Sequence, residues 1–87
     1  MKKEYYVYAI KSKPNGRIYV GISENPERRL RGHNRGETKS TRAFRPWFVI
    51  YQKMVGTRVA ARLEEKRLKS GYGKEFLKSL NKPFAPR

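Results

Sequence analysis

An α+β fold, with a small, mostly antiparallel three-stranded sheet flanked by helices, follows from three observations. Two aromatic and β-branched runs lie on either side of a Pro-Asn-Gly turn. Two later segments begin with good helix caps, and a further apolar run separates them. Taken in order these give β-β-α-β-α-α, the arrangement of a small α+β domain.

The first strand is Tyr5-Tyr6-Val7-Tyr8-Ala9-Ile10, built from residues that pack well on a pleated surface. Pro14-Asn15-Gly16 turns the chain, and Arg17-Ile18-Tyr19-Val20-Gly21-Ile22 returns as the second strand. Asn25 is the N-cap of helix one, with Pro26 at its first position and Glu27 in its first turn. That helix should end near Gly36, where glycine adopts the left-handed conformation. A basic loop, 37–45, follows. Pro46-Trp47-Phe48-Val49-Ile50-Tyr51 reads as a buried strand with its proline at the start, where a missing donor does least harm. Thr57 caps a second helix running to about Ser70, Gly71-Tyr72-Gly73 breaks it, and 74–80 forms a short third helix. The tail, Lys82 to Arg87, is expected to be extended.

Eighty-seven residues are expected to make one domain, 1–87, without room for a second. A chain this short buries only roughly 60–65% of its unfolded surface, so its core is small. It has no cysteine, which excludes disulfides and thiolate metal sites and fits a reducing compartment. Twenty-two Lys+Arg against seven Asp+Glu give a formal charge of +15. A field of that sign draws polyanions, and nucleic acid is the usual partner. Charge alone does not separate DNA from RNA, and a ribosome, an anionic membrane or an acidic protein would also answer it. Aromatic residues at 13% supply core material and argue against disorder. No apolar run approaches the roughly 20 residues that span a bilayer, and Met1-Lys2-Lys3-Glu4 leads straight into a strand. A cytoplasmic protein with no membrane contact is the expectation.

The hairpin register decides whether Tyr8 and Tyr19 share a face. A two-residue turn at Asn15-Gly16 places both phenols on one side beside Gly21, with Val7, Ala9, Ile18, Val20 and Ile22 on the other. A type I turn with a bulge shifts the pairing by one and separates them, and Pro14 favours that turn. Apolar segregation favours the shared face. Helix one is unusually polar. Leu30 is nearly its only large apolar residue, while Arg28, Arg29, Arg31, His33, Asn34 and Arg35 fill the rest. Arg29 and His33, at i and i+4, project from one side. Taken alone, those two residues fit a solvated basic face with a surface histidine. On helix two, Val59, Ala60, Leu63 and Leu68 form the inner arc of a helical wheel, with Glu64 inside it and Glu65 at its margin. Trp47 and Phe48 are aromatic enough to stack on bases, but their strand context assigns them, with Met54 and Phe76, to core packing.

Tyr6-Val7-Tyr8, Tyr19-Val20-Gly21 and Asn25-x-x-x-Arg29-Leu30-x-x-His33-Asn34 together resemble the GIY-YIG nuclease domain. The resemblance continues through Lys39-Ser40-Thr41, Arg45-Pro46-Trp47 and Glu65-Lys66-x-Leu68-Lys69-Ser70-Gly71, and so covers nearly the whole chain. It is nearest to small stand-alone members, which are similar to the N-terminal nuclease domain of the bacterial excision-repair nuclease. Tyr6-Val7 replaces Gly-Ile of the first motif while keeping its tyrosine.

The resemblance implies one-metal hydrolysis of a DNA strand. Tyr8 and Tyr19 would line the site, one of them orienting or deprotonating the attacking water. A free phenol, with a pKa of about 10, is a poor base at neutral pH and needs help from a cation. Arg29 would bind the scissile phosphate, for which its planar fork suits it. His33 would position the water or relay a proton. Glu65 would hold Mg²⁺ or Mn²⁺, since a hard cation can be served by one carboxylate, waters and substrate oxygens. The helical wheel alone nominates Glu64 instead, and both remain open. Asn81 is the only candidate for a further asparagine that the family often uses, and its surroundings match nothing. Arg28, Arg31, Arg35, Lys39, Arg42 and Arg45 look like phosphate contacts, which supply affinity but no sequence reading. The expected activity is thus a metal-dependent endonuclease acting on DNA, at branched or damaged structures. With no segment left for a recognition domain, selectivity would come from DNA shape or a partner protein. No small-molecule cofactor is implied. The alternative is a nucleic-acid-binding module that keeps the fold without the catalysis.

Overall fold

The computed structural model describes residues 4–80 and Pro83. Strands β1 (Tyr5–Ser12) and β2 (Ile18–Ser23) form the hairpin. They are followed by α1 (Pro26–Arg35), a single 3-10 turn (Arg42–Phe44), β3 (Trp47–Gly56), α2 (Arg58–Lys69) and α3 (Gly71–Lys78). Both pairings are antiparallel and the sheet order is β2-β1-β3, so the predicted α+β architecture is the one observed. Asn81 and the tail, Pro83 apart, lie outside the described residues.

Neither turn considered from the sequence is the one that forms. Tyr8 pairs with Gly21 and Ile10 with Tyr19. The loop is wider, closed by Ser12 N–H to the Arg17 carbonyl at 2.8 Å and Gly16 N–H to the Ser12 carbonyl at 2.9 Å. Gly16 takes φ +76° there, the region glycine enters without steric cost. Compared with a two-residue turn the ladder is displaced by two positions. An even displacement leaves every side chain on its original face. Tyr8 and Tyr19 therefore do share a face.

The opposite face of β1 buries Val7 and Ala9 with Val20, Ile50, Ala61, Leu68 and Leu77, and α2 and α3 supply the last three. Burying Leu68 and Leu77 contributes on the order of 1.5–3 kcal/mol each. Register shifts in the β1–β3 pairing, one of them between Ala9 and Ile10, interrupt the alternation along β3. The latter bulge lets consecutive residues Ile50 and Tyr51 both join the helical side. Trp47, Tyr8 and Ile10 pack on the other side with Leu30 of α1. Trp47 and Phe48 are thus core residues, as expected.

The helix caps form as read: Asn25 accepts from Arg28 N–H at 3.1 Å and Thr57 from Ala60 N–H at 3.1 Å, while Gly36 ends α1 at φ +85°. Other expectations hold only in part. Strand β3 runs on to Gly56. The two helices separate as read, but at Ser70, and Gly71-Tyr72-Gly73 already forms the first turn of α3. Ser70 makes the corner possible: its hydroxyl donates to the Arg67 carbonyl at 2.6 Å and accepts from Gly73 N–H at 3.3 Å. It thereby closes α2 and opens α3. Val59 and Leu63 are exposed; of the expected inner arc Leu68 is buried as read, and Ala61 joins it. Met54 and Phe76 are exposed too, although the Phe76 ring packs edge-on to Tyr51 at 5.7 Å.

Candidate active site

Four of the five residues singled out for chemistry meet on the α1 side of the sheet. The Tyr8 and Tyr19 ring centroids are 6.5 Å apart, and Tyr19 meets His33 edge-on at 4.9 Å. Tyr8 hydroxyl and His33 Nε2 are 3.1 Å apart. The Arg29 guanidinium lies against both phenols. Gly21 makes the approach possible. A Cβ there would lie 2.7 Å from the Tyr8 hydroxyl oxygen and 3.1 Å from the Tyr19 ring, so any side chain would push the phenols aside.

His33 is fully buried, not the surface histidine that its polar helix suggests. Its second nitrogen, Nδ1, lies 2.8 Å from Thr41 Oγ1, and that hydroxyl donates to the Thr38 carbonyl at 3.3 Å. With its own hydrogen committed, Thr41 is left to accept, which places the imidazole proton on Nδ1. Nε2 is then an acceptor, and Tyr8 donates to it. Tyr8, His33 and Thr41 form a continuous hydrogen-bonded chain that ends on the Thr38 carbonyl. Trp47 Nε1–H donates to the Thr41 carbonyl at 2.8 Å. The Asn34 side chain grips Trp47 twice, accepting from its N–H at 2.7 Å and donating to its C=O at 3.1 Å. These bonds tie α1 and the loop to the first residue of β3. Sequence reading passes over Thr41 and gives Asn34 no role. Both fall within the family-like segments, but nothing in their periodicity marks them as partners of His33 and Trp47.

Electrostatics agrees with that proton assignment. Burial pushes the Tyr8 phenol above its ordinary pKa, and the adjacent Arg29 pulls it partly back. Burial, then the Arg29 charge, lowers His33. At neutral pH the pair is a protonated phenol facing a neutral imidazole. Because the folded-state pKa of His33 is depressed, its contribution to stability is intact above the unfolded value of about 6.5. It is lost as pH falls from there through the folded value. Thermal melts between pH 7.5 and 5.5 are expected to show a falling Tm, and His33→Gln is expected to flatten that slope.

The remaining candidates divide by location. Arg28, Arg29 and Arg35 line an open cleft of about 770 Å³ with Ser23, Asn25 and Gly32. Arg35 is paired there with Glu37 at 2.8 Å. Arg31 pairs with Glu27 at 3.4 Å. Arg42 and Arg45 sit against Gly36 at the end of α1, Arg45 Nε donating to the Arg42 carbonyl at 2.7 Å. Lys39 is exposed in the preceding loop.

The two glutamates on α2 have different partners. Glu64 is held by the Arg67 fork at 2.9 and 2.6 Å, which keeps its carboxyl below the usual range. Glu65 pairs with Arg62 at 3.2 Å and Lys69 at 3.1 Å. The Glu65 charge also reaches Tyr8, adding to the rise in its pKa. Among the described residues no three His, Asp or Glu side chains cluster tightly enough to hold a metal ion by themselves. The donor set nonetheless fits a hard divalent cation bound through one carboxylate, because substrate oxygens and waters complete such a shell.

A family profile described as the GIY-YIG catalytic domain matches residues 4–81. A UPF0213 protein of Staphylococcus haemolyticus is 33% identical over 78 residues, which cover 88% of this chain and 94% of that protein. A UPF0213 protein of Aeromonas hydrophila is 40% identical over 68 residues, 75% of this chain and 48% of the other. The structure-specific endonuclease subunit slx1 of Xenopus laevis is 38% identical over 50 residues, spanning 53% of this chain and 18% of its own length.

Proposed function

The chain belongs to the GIY-YIG catalytic-domain family, and on that premise we propose that it is a divalent-metal-dependent endonuclease hydrolysing a DNA phosphodiester. The observation that carries the reading is the meeting of two phenols, a guanidinium and a neutral imidazole on one face of the sheet. The family supports nuclease chemistry in general, and the geometry of the site supports the roles proposed for its residues.

Arg29, at the cleft shared with Arg28 and Arg35, binds the scissile phosphate and stabilises charge growing on its oxygens. Tyr19 is the outer phenol, half-buried where Tyr8 is enclosed, and it orients the attacking water. As the water oxygen bonds to phosphorus and the P–O bond to the leaving oxygen breaks, the water's proton passes to the Tyr8 oxygen, and the leaving oxygen takes a proton from a solvent water. The Tyr8 proton moves in turn to His33 Nε2, so no free phenolate is needed beforehand. Thr41 keeps the imidazole in the tautomer able to accept it. Glu65 holds Mg²⁺ or Mn²⁺, which when bound supplies charge neutralisation at the phosphate oxygens. Arg31, Lys39, Arg42 and Arg45 extend the basic surface along the DNA backbone.

Those contacts read phosphates, not bases, so selection rests on DNA structure, as at branched or damaged sites, or on a partner protein. The likeness to a structure-specific endonuclease subunit supports both routes. We place the protein in the cytoplasm as a single domain; no helix among the described residues is long and apolar enough to cross a membrane.

The test is nicking of plasmid and branched DNA. Cleavage is expected with Mg²⁺ or Mn²⁺, none with chelator, and a loss of at least about a hundredfold in Glu65→Gln. DNA binding without cleavage by the unsubstituted protein would instead mark a binding module on the same fold.

A further inference from the structure

We propose that Arg62 and Lys69 keep Glu65 closed to metal until nucleic acid binds, so that ion and substrate load together. The inference rests on Glu65 as the ion's ligand in the proposed nuclease. Both carboxylate oxygens are taken, Oε1 by Arg62 at 3.2 Å and Oε2 by Lys69 at 3.1 Å. Accessibility is lopsided: the Glu65 side chain is 12% exposed, those of Arg62 and Lys69 56% and 55%. The acid is fixed in place while its partners reach solvent and are free to turn outward.

Two positive charges beside one negative leave the locality cationic, which opposes entry of a divalent ion. Among the described residues Glu65 belongs to no group of three acidic or imidazole side chains that could hold an ion, and the neighbouring Glu64 is already taken by Arg67. A hard ion would have to shed water for a single, already occupied carboxylate. DNA reverses the balance. Arg62, Lys66 and Lys69 line one shallow depression around Glu65, and a phosphate arriving there offers the cations a new partner. Ion pairs whose cationic ends reach solvent contribute little, so the exchange costs little. The released carboxylate and the phosphate oxygens then face the ion together. Glu64 differs in its partner: one Arg67 takes both of its oxygens as a two-pronged fork, where Glu65 divides its oxygens between two cations.

The test reads Mn²⁺ at α2 through paramagnetic broadening of its backbone amides, with Glu65→Gln as the subtraction control for ion held elsewhere. The unsubstituted protein is expected to show little Glu65-dependent broadening alone and at least about tenfold tighter Mn²⁺ binding with a short DNA duplex present. Arg62→Met combined with Lys69→Met, both at exposed positions, is expected to bind Mn²⁺ about tenfold more tightly without DNA. It should also lose most of the DNA dependence. Unchanged Mn²⁺ affinity in that double variant overturns the clamp, whether or not the unsubstituted protein nicks DNA. Broadening that persists in Glu65→Gln overturns it too, by placing the ion elsewhere. The nuclease reading falls only on the nicking assay.

Discussion

Arg29→Ala is expected to slow DNA cleavage by about a thousandfold, the scale of removing a donor that meets charge formed in the transition state. The guanidinium has two tasks at once. It faces the cleft where a phosphate would lie, and it bears on Tyr8 and His33 from the side. Its loss therefore moves a second observable. Without the neighbouring cation, the pKa of His33 rises, which NMR titration of the imidazole would follow directly. Arg29→Lys restores charge without the planar fork and should recover only part of the rate. Single-turnover cleavage within tenfold of the unsubstituted protein would remove Arg29 from the mechanism.

Gly73→Ala is expected to cost stability rather than chemistry, by about 3 kcal/mol. A Cβ at that position would run into the Arg67 carbonyl and the Leu68 backbone. Those are backbone atoms inside a helix, so no flexible side chain can yield. Relief requires α3 to swing away from α2, which would uncover Leu68 and Leu77 together. In a domain whose total stability is on the order of 5–10 kcal/mol, that is a large fraction. Urea unfolding followed by circular dichroism measures it. Gly71→Ala is the matched control, because nothing lies within 4 Å of the Cβ built there. Equal midpoints for the two variants would refute the packing argument.

What the sequence makes legible is local. Caps at Asn25 and Thr57, the left-handed stop at Gly36 and the order of elements depend on near neighbours, and they appear where expected. Side-chain burial depends on distant partners and is less legible. His33 lies on a helix that is polar nearly all round. Its burial is decided by Tyr8, 25 positions earlier, and Thr41, eight later. Gly71 and Gly73 look like helix breakers in isolation, yet the second is there because α3 packs too close for a side chain. The wheel misplaces the inner arc of α2 because exposed Val59 and Leu63 carry the same apolar signature as core residues. Neither turn read for the hairpin forms, and the phenols still come together, since parity, not loop length, assigns the face. The wheel nominates Glu64 as the inward carboxylate, yet the two side chains are covered almost equally, 13% and 12% exposed, and differ in their ion pairs.

Strand β1 sits between its two neighbours with alternate residues facing opposite sides: Val7 and Ala9 toward the helical core, Tyr8 toward the phenol–imidazole cluster. Losing or gaining one residue within it would invert both rows together, so length variation there has no partial credit. Evolutionary drift in such a chain is channelled into the loops and the outward side of α1. A lineage could acquire new substrates by changing those surfaces while its middle strand stays the same length.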